Sequence, residues 1–446
     1  MIAAFATVAL ASALQNALAP GLRNADDYSL TVLGADGGTI FARRADRALA
    51  PASTLKLIVA AAALGDLGAD YRFRTLVAAR APLAADGTLT GDLWLEGSGD
   101  PSLVREDLDH AADALYAAGV RRIAGSVVGD GAADAPPETN ALWNPADANE
   151  GFQAPTSGLS LDEDTVEFRV YGGAPGSAAR VAVVPASDAV RYTNLARTGG
   201  WDDGEIDVVP AGSRNGFVVS GRVAPYGEQK VWVPIHGVPR YVASVFTRML
   251  RDRGIAVAGA PRTGRTPLDT RALWMHRSAP LRALVGWMLV HSDNHYAEQL
   301  MRRLGGIAGA PSDAGGLAAE RAFLHRRAIP TPGLHLVDGS GLAHADRAAS
   351  VTFAAILADA ERRGGDAELR TLLPLGGEQG TLKHYRFVTA AGRVRAKSGH
   401  LDGVDSLAGY VTTRTKGRVI FAFIMVGVTR DADTALVQAV DALAAM

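Results

Sequence analysis

The hydrophobic period of this chain changes twice, and that constrains its fold more than any other feature. Residues 28–43 read as a hairpin turning at Asp36-Gly37-Gly38. Pro51 and Ser53 then open a helix with an apolar run over 57–64, stopped by Gly65. From about residue 70 to 260 the pattern becomes short alternating runs between Gly-rich turns, as in 89–95, 166–171, 181–184 and 217–223. After Pro267 helical spacing returns, clearest over 281–290. Two β runs follow, 406–412 and 419–428, and the second is apolar on both faces, which predicts a central antiparallel strand covered on both sides. Leu436, Val437, Val440 and Leu443 form the stripe of a closing helix. Ends of one character around a middle of another predict a multidomain α/β chain: one domain of residues 20–72 and 262–446, interrupted by a β-rich insertion over 73–261. The insertion has room for one or two small domains, the inner one near 165–225.

Composition narrows the function classes. Across 446 residues, 45 basic groups face 47 acidic ones, a net charge of −2 that offers no field to nucleic acid or an anionic membrane. With no cysteine there is no disulfide, thiolate nucleophile or Cys-ligated metal. Residues 2–14 form an uncharged, Ala-rich run too short to span a bilayer, and Ala17-Leu18-Ala19 is a small-x-small cleavage signal. Residues 1–19 therefore read as a secretory signal peptide, with a buried N-terminal helix as the alternative. Lysine is scarce, with only Lys56, Lys230, Lys383, Lys397 and Lys416 present. A lysine-containing pattern is thus less readily accidental here.

Three such patterns stand out: Ser53-Thr-Leu-Lys56, Ser292-Asp-Asn294 and Lys397-Ser-Gly399. Ser53 and Lys56, at i and i+3 on a starting helix, share one face. A serine hydroxyl needs a base, and a partly desolvated lysine serves if its pKa falls; Lys397 is a second cation able to push it down. The bland alternative is an N-cap serine beside a solvated lysine. Ser292-Asp-Asn294 lies between an apolar helix and a new helix at Tyr296, where a polar break delivers a hydroxyl and an amide into a cleft. A second copy, Ser213-Arg-Asn215, runs into Gly216 and a strand and reads as a hairpin turn. Lys397 and Ser398 offer a cation and a hydroxyl to a carboxylate, and Gly399 permits close backbone approach.

In this order the three patterns resemble the active-site-serine penicillin-recognising enzymes. Ser53 and Ser292 are 239 residues apart, and Ser292 and Lys397 are 105 apart. The long first interval resembles the type 4, class C penicillin-binding proteins, which are D-alanyl-D-alanine carboxypeptidases and endopeptidases. Residues 97–103, 338–342, 380–382 and 406–410 are similar as well, so the likeness spans the mature chain. It implies a β-lactamase-like catalytic domain, with an antiparallel sheet flanked by helices, and a periplasmic or otherwise extracytoplasmic enzyme. Its substrates are peptidoglycan stem peptides, its inhibitors β-lactams that acylate it covalently. No cofactor or metal is implied, and a homo-oligomer is left open.

By the same resemblance Ser53 is the acylated nucleophile and Lys56 its general base. Ser292 and Asn294 relay the proton and position the peptide carbonyl. Lys397, Ser398 and Gly399 bind the terminal carboxylate, and the backbone N–H groups of Ser53 and His400 form the oxyanion hole. Relatives that recognise diaminopimelate carry an arginine and a glutamine where this chain has His344 and Asp402, with Arg347 nearby as a substitute. An aspartate at that position repels a side-chain carboxylate. Three other readings compete. A class A β-lactamase needs a Glu-x-x-x-Asn segment after the second motif, but Asn294 is the last asparagine. His291 and His295, at i and i+4, have the spacing of zinc ligands. A catalytically silent penicillin- or peptidoglycan-binding sensor is the non-enzymatic alternative.

Overall fold

The computed structural model describes residues 2–363, 367–428 and 432–446. The chain forms two compact units, Met1–Tyr71 with Pro280–Met446, and Arg72–Ala279. In the first unit the elements are α1 (Ile2–Arg23), β1 (Asp27–Gly34), β2 (Thr39–Arg43), α2 (Lys56–Asp66), α3 (Leu281–His291), α4 (Asn294–Ile307), α5 (Asp313–Arg326), α6 (Ser350–Arg362), β3 (Val394–Leu401), β4 (Val404–Thr412), β5 (Arg418–Val426) and α7 (Ala432–Ala444).

The five strands make one antiparallel sheet in the order β2-β1-β5-β4-β3. The run that is apolar on both faces, β5, is its central strand. Phe421, Phe423 and Met425 pack with Leu14, Leu18, Leu436 and Val440 of α1 and α7 on one face. The other face lies against α6, so each face excludes water and the continuous apolar run is satisfied. Beside the edge strand β3 runs the 3₁₀ turn Ala52–Leu55, which leads directly into α2. That places the start of the first motif against the strand carrying the third.

Several boundaries differ from the sequence expectation. Gly65 does not stop α2, which runs to Asp66. A Cβ there would stand 2.6 Å from the Phe323 ring, so the missing side chain serves helix packing rather than termination. The boundary expected after Ala19 falls inside α1, and Leu14 and Leu18 are wholly buried.

The second unit ends at Ala279 rather than at 261, because Arg271–Arg277 returns to pair antiparallel with Arg74–Ala79. It is the last member of a five-stranded sheet built on Arg74–Ala79, Leu93–Glu96 and Val127–Asp130. The inner β region extends past 225 to Pro234, since Glu228–Pro234 pairs with Thr165–Tyr171. Two helices, Arg105–Ala117 and Val238–Asp252, cover the larger sheet, and the second buries Tyr241, Val242, Val245 and Phe246. The reading of this region as β-rich passed over both. Asn215-Gly216 is the expected hairpin turn, with Asn215 at φ 59° between antiparallel strands.

Candidate active site

The first motif is held in a strained turn. Ala52 has φ 50°, a left-handed conformation costing about 1 kcal/mol for a residue with a side chain. Its surroundings over-determine it. Pro51 O accepts from Ser406 Oγ at 2.6 Å and from Thr54 Oγ1 at 2.7 Å. A Cβ on Gly341 would lie 2.0 Å from Ala52 O, and one on Gly399 would lie 2.8 Å from Ser53 N. Glycine at 399 thus lets β3 close on the backbone of the serine.

Lys56 is wholly buried, and its Nζ has three neighbours: Ser53 Oγ at 2.9 Å, Asn294 Oδ1 at 2.7 Å and the Ser340 carbonyl at 2.7 Å. Burial pulls its pKa down to about 8, against the opposing charges of Asp338, Asp293, Glu298 and Asp346. A neutral amine in hydrogen-bond reach of a serine hydroxyl is then available near neutral pH. The expected influence of Lys397 on Lys56 runs mainly the other way. Lys397 is held well below its ordinary range, by its own burial first and by the charge of Lys56 second.

Ser292 ends α3 in a left-handed conformation, φ 59°, and Asp293 caps α4 by accepting from Tyr296 N at 3.0 Å. The kink separates the two helices and turns Ser292 and Asn294 toward the two lysines. Ser292 Oγ accepts from the buried Nζ of Lys397 at 2.9 Å. Ser398 Oγ sits 2.7 Å from Thr381 Oγ1. The next side chain on that face of β3, His400, is exposed, and its Nδ1 lies 2.7 Å from Asp405, which raises its pKa.

The structure thus brings Ser53, Lys56, Ser292, Asn294, Lys397, Ser398 and Gly399 into one cluster of the first unit. His344 and Asp402 are exposed. His344 is exposed, and its carbonyl takes Arg347 Nη1–H at 2.6 Å; that same nitrogen also bonds Asp346 O at 2.7 Å, tying Arg347 to its own loop. Asp402 is exposed at the β3–β4 turn, where its charge adds to the rise of His400. His291 and His295 do not share a helix: α3 stops at His291, whose ring stacks on Trp287 at 3.7 Å, while His295 is buried in α4.

Sequence reasoning gave no role to Ser340, Glu298, Thr381 or Ser406. Three of them lie in or beside segments whose likeness was visible (338–342, 380–382, 406–410), so a signal existed there. Glu298 had none beyond its position one turn after Asn294.

The sequence profile of the D-Ala-D-Ala carboxypeptidase 3 (S13) family matches residues 10–446. The chain belongs to this family. It is 31% identical to a D-alanyl-D-alanine carboxypeptidase of Actinomadura sp. (strain R39), over 94% of this chain and 81% of the relative. The carboxypeptidase DacB of Haemophilus influenzae is 26% identical, over 83% and 79%. Among solved structures, penicillin binding protein 4 of H. influenzae superposes with a TM-score of 0.83 at 24% identity, covering 97% of each chain, and shows the shared fold. The protein is accordingly an enzyme, a serine-type D-Ala-D-Ala carboxypeptidase among the hydrolases.

Proposed function

We propose that Ser53 carries the acyl group and that the substrates are peptidoglycan stem peptides ending in D-Ala-D-Ala. The observation that supports this best is the Ser53 Oγ to buried Lys56 Nζ distance of 2.9 Å. In the first step the Ser53 proton passes to Lys56 Nζ while Oγ attacks the carbonyl carbon between the two D-alanines. Backbone N–H groups of Ser53 and His400 receive the developing oxyanion, a contribution of a few kcal/mol in such sites. The C–N bond then breaks, and the leaving amine takes a proton through Ser292, which Lys397 holds in place. Free D-alanine departs, and water, deprotonated by the same base, hydrolyses the ester.

Ser398 and Lys397 face the substrate carboxylate in this reading. An incoming carboxylate favours the ammonium form of Lys397, against the burial and the Lys56 charge that hold its pKa down. A β-lactam follows the same first step, but its leaving nitrogen stays tethered to the acyl group. A solved complex of penicillin binding protein 4 of H. influenzae with a β-lactam supports β-lactam binding. Cleavage of peptide cross-links is the same acyl transfer with a longer leaving amine, so endopeptidase activity is included. The silent-sensor reading loses ground because every reactive group keeps its partner.

Action on peptidoglycan places the protein outside the cytoplasm, with an N-terminal leader as the export signal. Among the described residues no helix is long and apolar enough to cross a membrane.

The deciding experiment is intact mass after incubation with benzylpenicillin, followed by peptide mapping, alongside assay of D-alanine release from a stem pentapeptide. One adduct on Ser53, absent from Ser53→Ala, is the expected result. An adduct that persists in Ser53→Ala would sink the assignment, and drug binding without turnover of peptide would favour the sensor.

A further inference from the structure

A buried acidic side chain outside the three motifs, Glu298, holds the loop whose Ser340 carbonyl accepts from Lys56 Nζ. A lysine ammonium donates three hydrogen bonds, whereas the neutral amine donates two and offers one lone pair. Two of the three neighbours of Nζ, Asn294 Oδ1 and the Ser340 carbonyl, only accept. Once both take an N–H, the lone pair has one direction left, toward the Ser53 hydroxyl.

The Ser340 carbonyl keeps its aim only while its backbone is fixed. That backbone is held from α4 by Glu298, 3% exposed, whose Oε1 accepts from Gly339 N at 3.1 Å and Ser340 N at 2.8 Å. Glu298 lies one turn after Asn294, so a single helix sets both acceptors. The far side of the loop is tied by Asp338, which accepts from Gly341 N at 2.6 Å and Ala343 N at 2.8 Å.

Resting on the Ser53–Lys56 reading above, we propose that Glu298 is a positioning residue for the base: it fixes the Gly339–Ser340 backbone so that the Lys56 lone pair faces Ser53 Oγ. It touches no substrate. Burial and the charge of Asp338 raise its carboxyl to about 8, so near neutral pH its carbonyl oxygen can do the accepting and glutamine is the matching replacement.

Lys56 meets other charges on every side. Asp293 approaches from the α4 cap, Asp338 and Asp346 from the loop, and Lys397 from β3. Behind Glu298, α5 presents Asp313, paired with Arg302, and Glu320. Removing the Ser340 acceptor leaves these in place and withdraws one stabilising partner of the Lys56 ammonium. The acid limb of the acylation rate should then move to lower pH while its plateau falls.

The test is the second-order rate of acylation by benzylpenicillin between pH 6 and 10, normalised to titrated active sites, in wild type, E298Q, E298D and E298A. The wild-type rate should rise through about pH 8. E298A and E298D, which cannot reach the two amides, should lose at least about tenfold in plateau rate and show the shifted limb, as expected when a general base is misaligned. E298Q should recover most of the rate, with its limb displaced less than that of E298A because only the Glu298 charge is lost. An E298A plateau equal to wild type, an unshifted limb, or an E298Q as slow as E298A overturns the proposal. E298Q carries the test if the smaller variants do not fold, a tenfold loss then counting against it and a rate within threefold counting for it. Failure of the Ser53 reading shows separately, as a wild-type protein without an adduct on Ser53.

Discussion

Glu320 has both carboxyl oxygens buried with no hydrogen-bond partner among the described residues, and burial raises its pKa well above the ordinary value. A carboxyl whose folded pKa is raised gives its full stability below the unfolded pKa, near 4.5, and loses it as pH rises through the folded value. Glu320→Met, which keeps the volume, should therefore raise the melting temperature more at pH 8 than at pH 5. Equal shifts at both pH values would show that the carboxyl is not the cause. At this scale the residues that meet in one cluster were legible because they stand in three short patterns defined by side-chain type and spacing. Glu298 and Ser340 were not. One acts through a backbone that it holds, the other through its carbonyl, and neither depends on a recognisable reactive group. His344 and Asp402 were named from the family resemblance, and the fold leaves both on the surface.

The N-terminal helix carries a prediction about processing. Leu14 and Leu18 are each fully buried against α7, and burial of a leucine is worth about 2 kcal/mol. A cut after Ala19 would discard both. Six residues upstream, Ala11-Ser12-Ala13 is also small-x-small, and Ser12 and Ala13 are exposed. We expect the secreted protein to begin at Leu14, as N-terminal sequencing would show; a start at residue 20 would refute this. Element identity was clearest where one period runs unbroken, as in β5 and α3. The helix Val238–Asp252 was missed because it interrupts a long β-like stretch, and its amphipathic stripe makes sense only against the sheet it covers.

At the scale of the whole molecule, the insertion leaves and re-enters the chain at neighbouring points. Ser278 N donates to Phe73 O at 3.1 Å at the root of the second unit, and Leu281 N donates to Tyr71 O at 2.8 Å in the first. Each unit thus has its open ends side by side and its own core. Residues 72–279 expressed alone should melt cooperatively. A chain with them replaced by a short Gly-rich linker should still acquire a benzylpenicillin adduct on Ser53, because all the motif residues belong to the first unit. A folded but unacylated shortened chain would contradict this. By itself the sequence determined the interrupted α/β plan, the family and the three short motifs, since periodicity and side-chain spacing are local properties. Only the tertiary structure decided where the insertion ends, that Leu14 and Leu18 pack against the closing helix, and which carbonyls surround the lysine. Those depend on strands and loops distant in sequence coming within hydrogen-bonding reach.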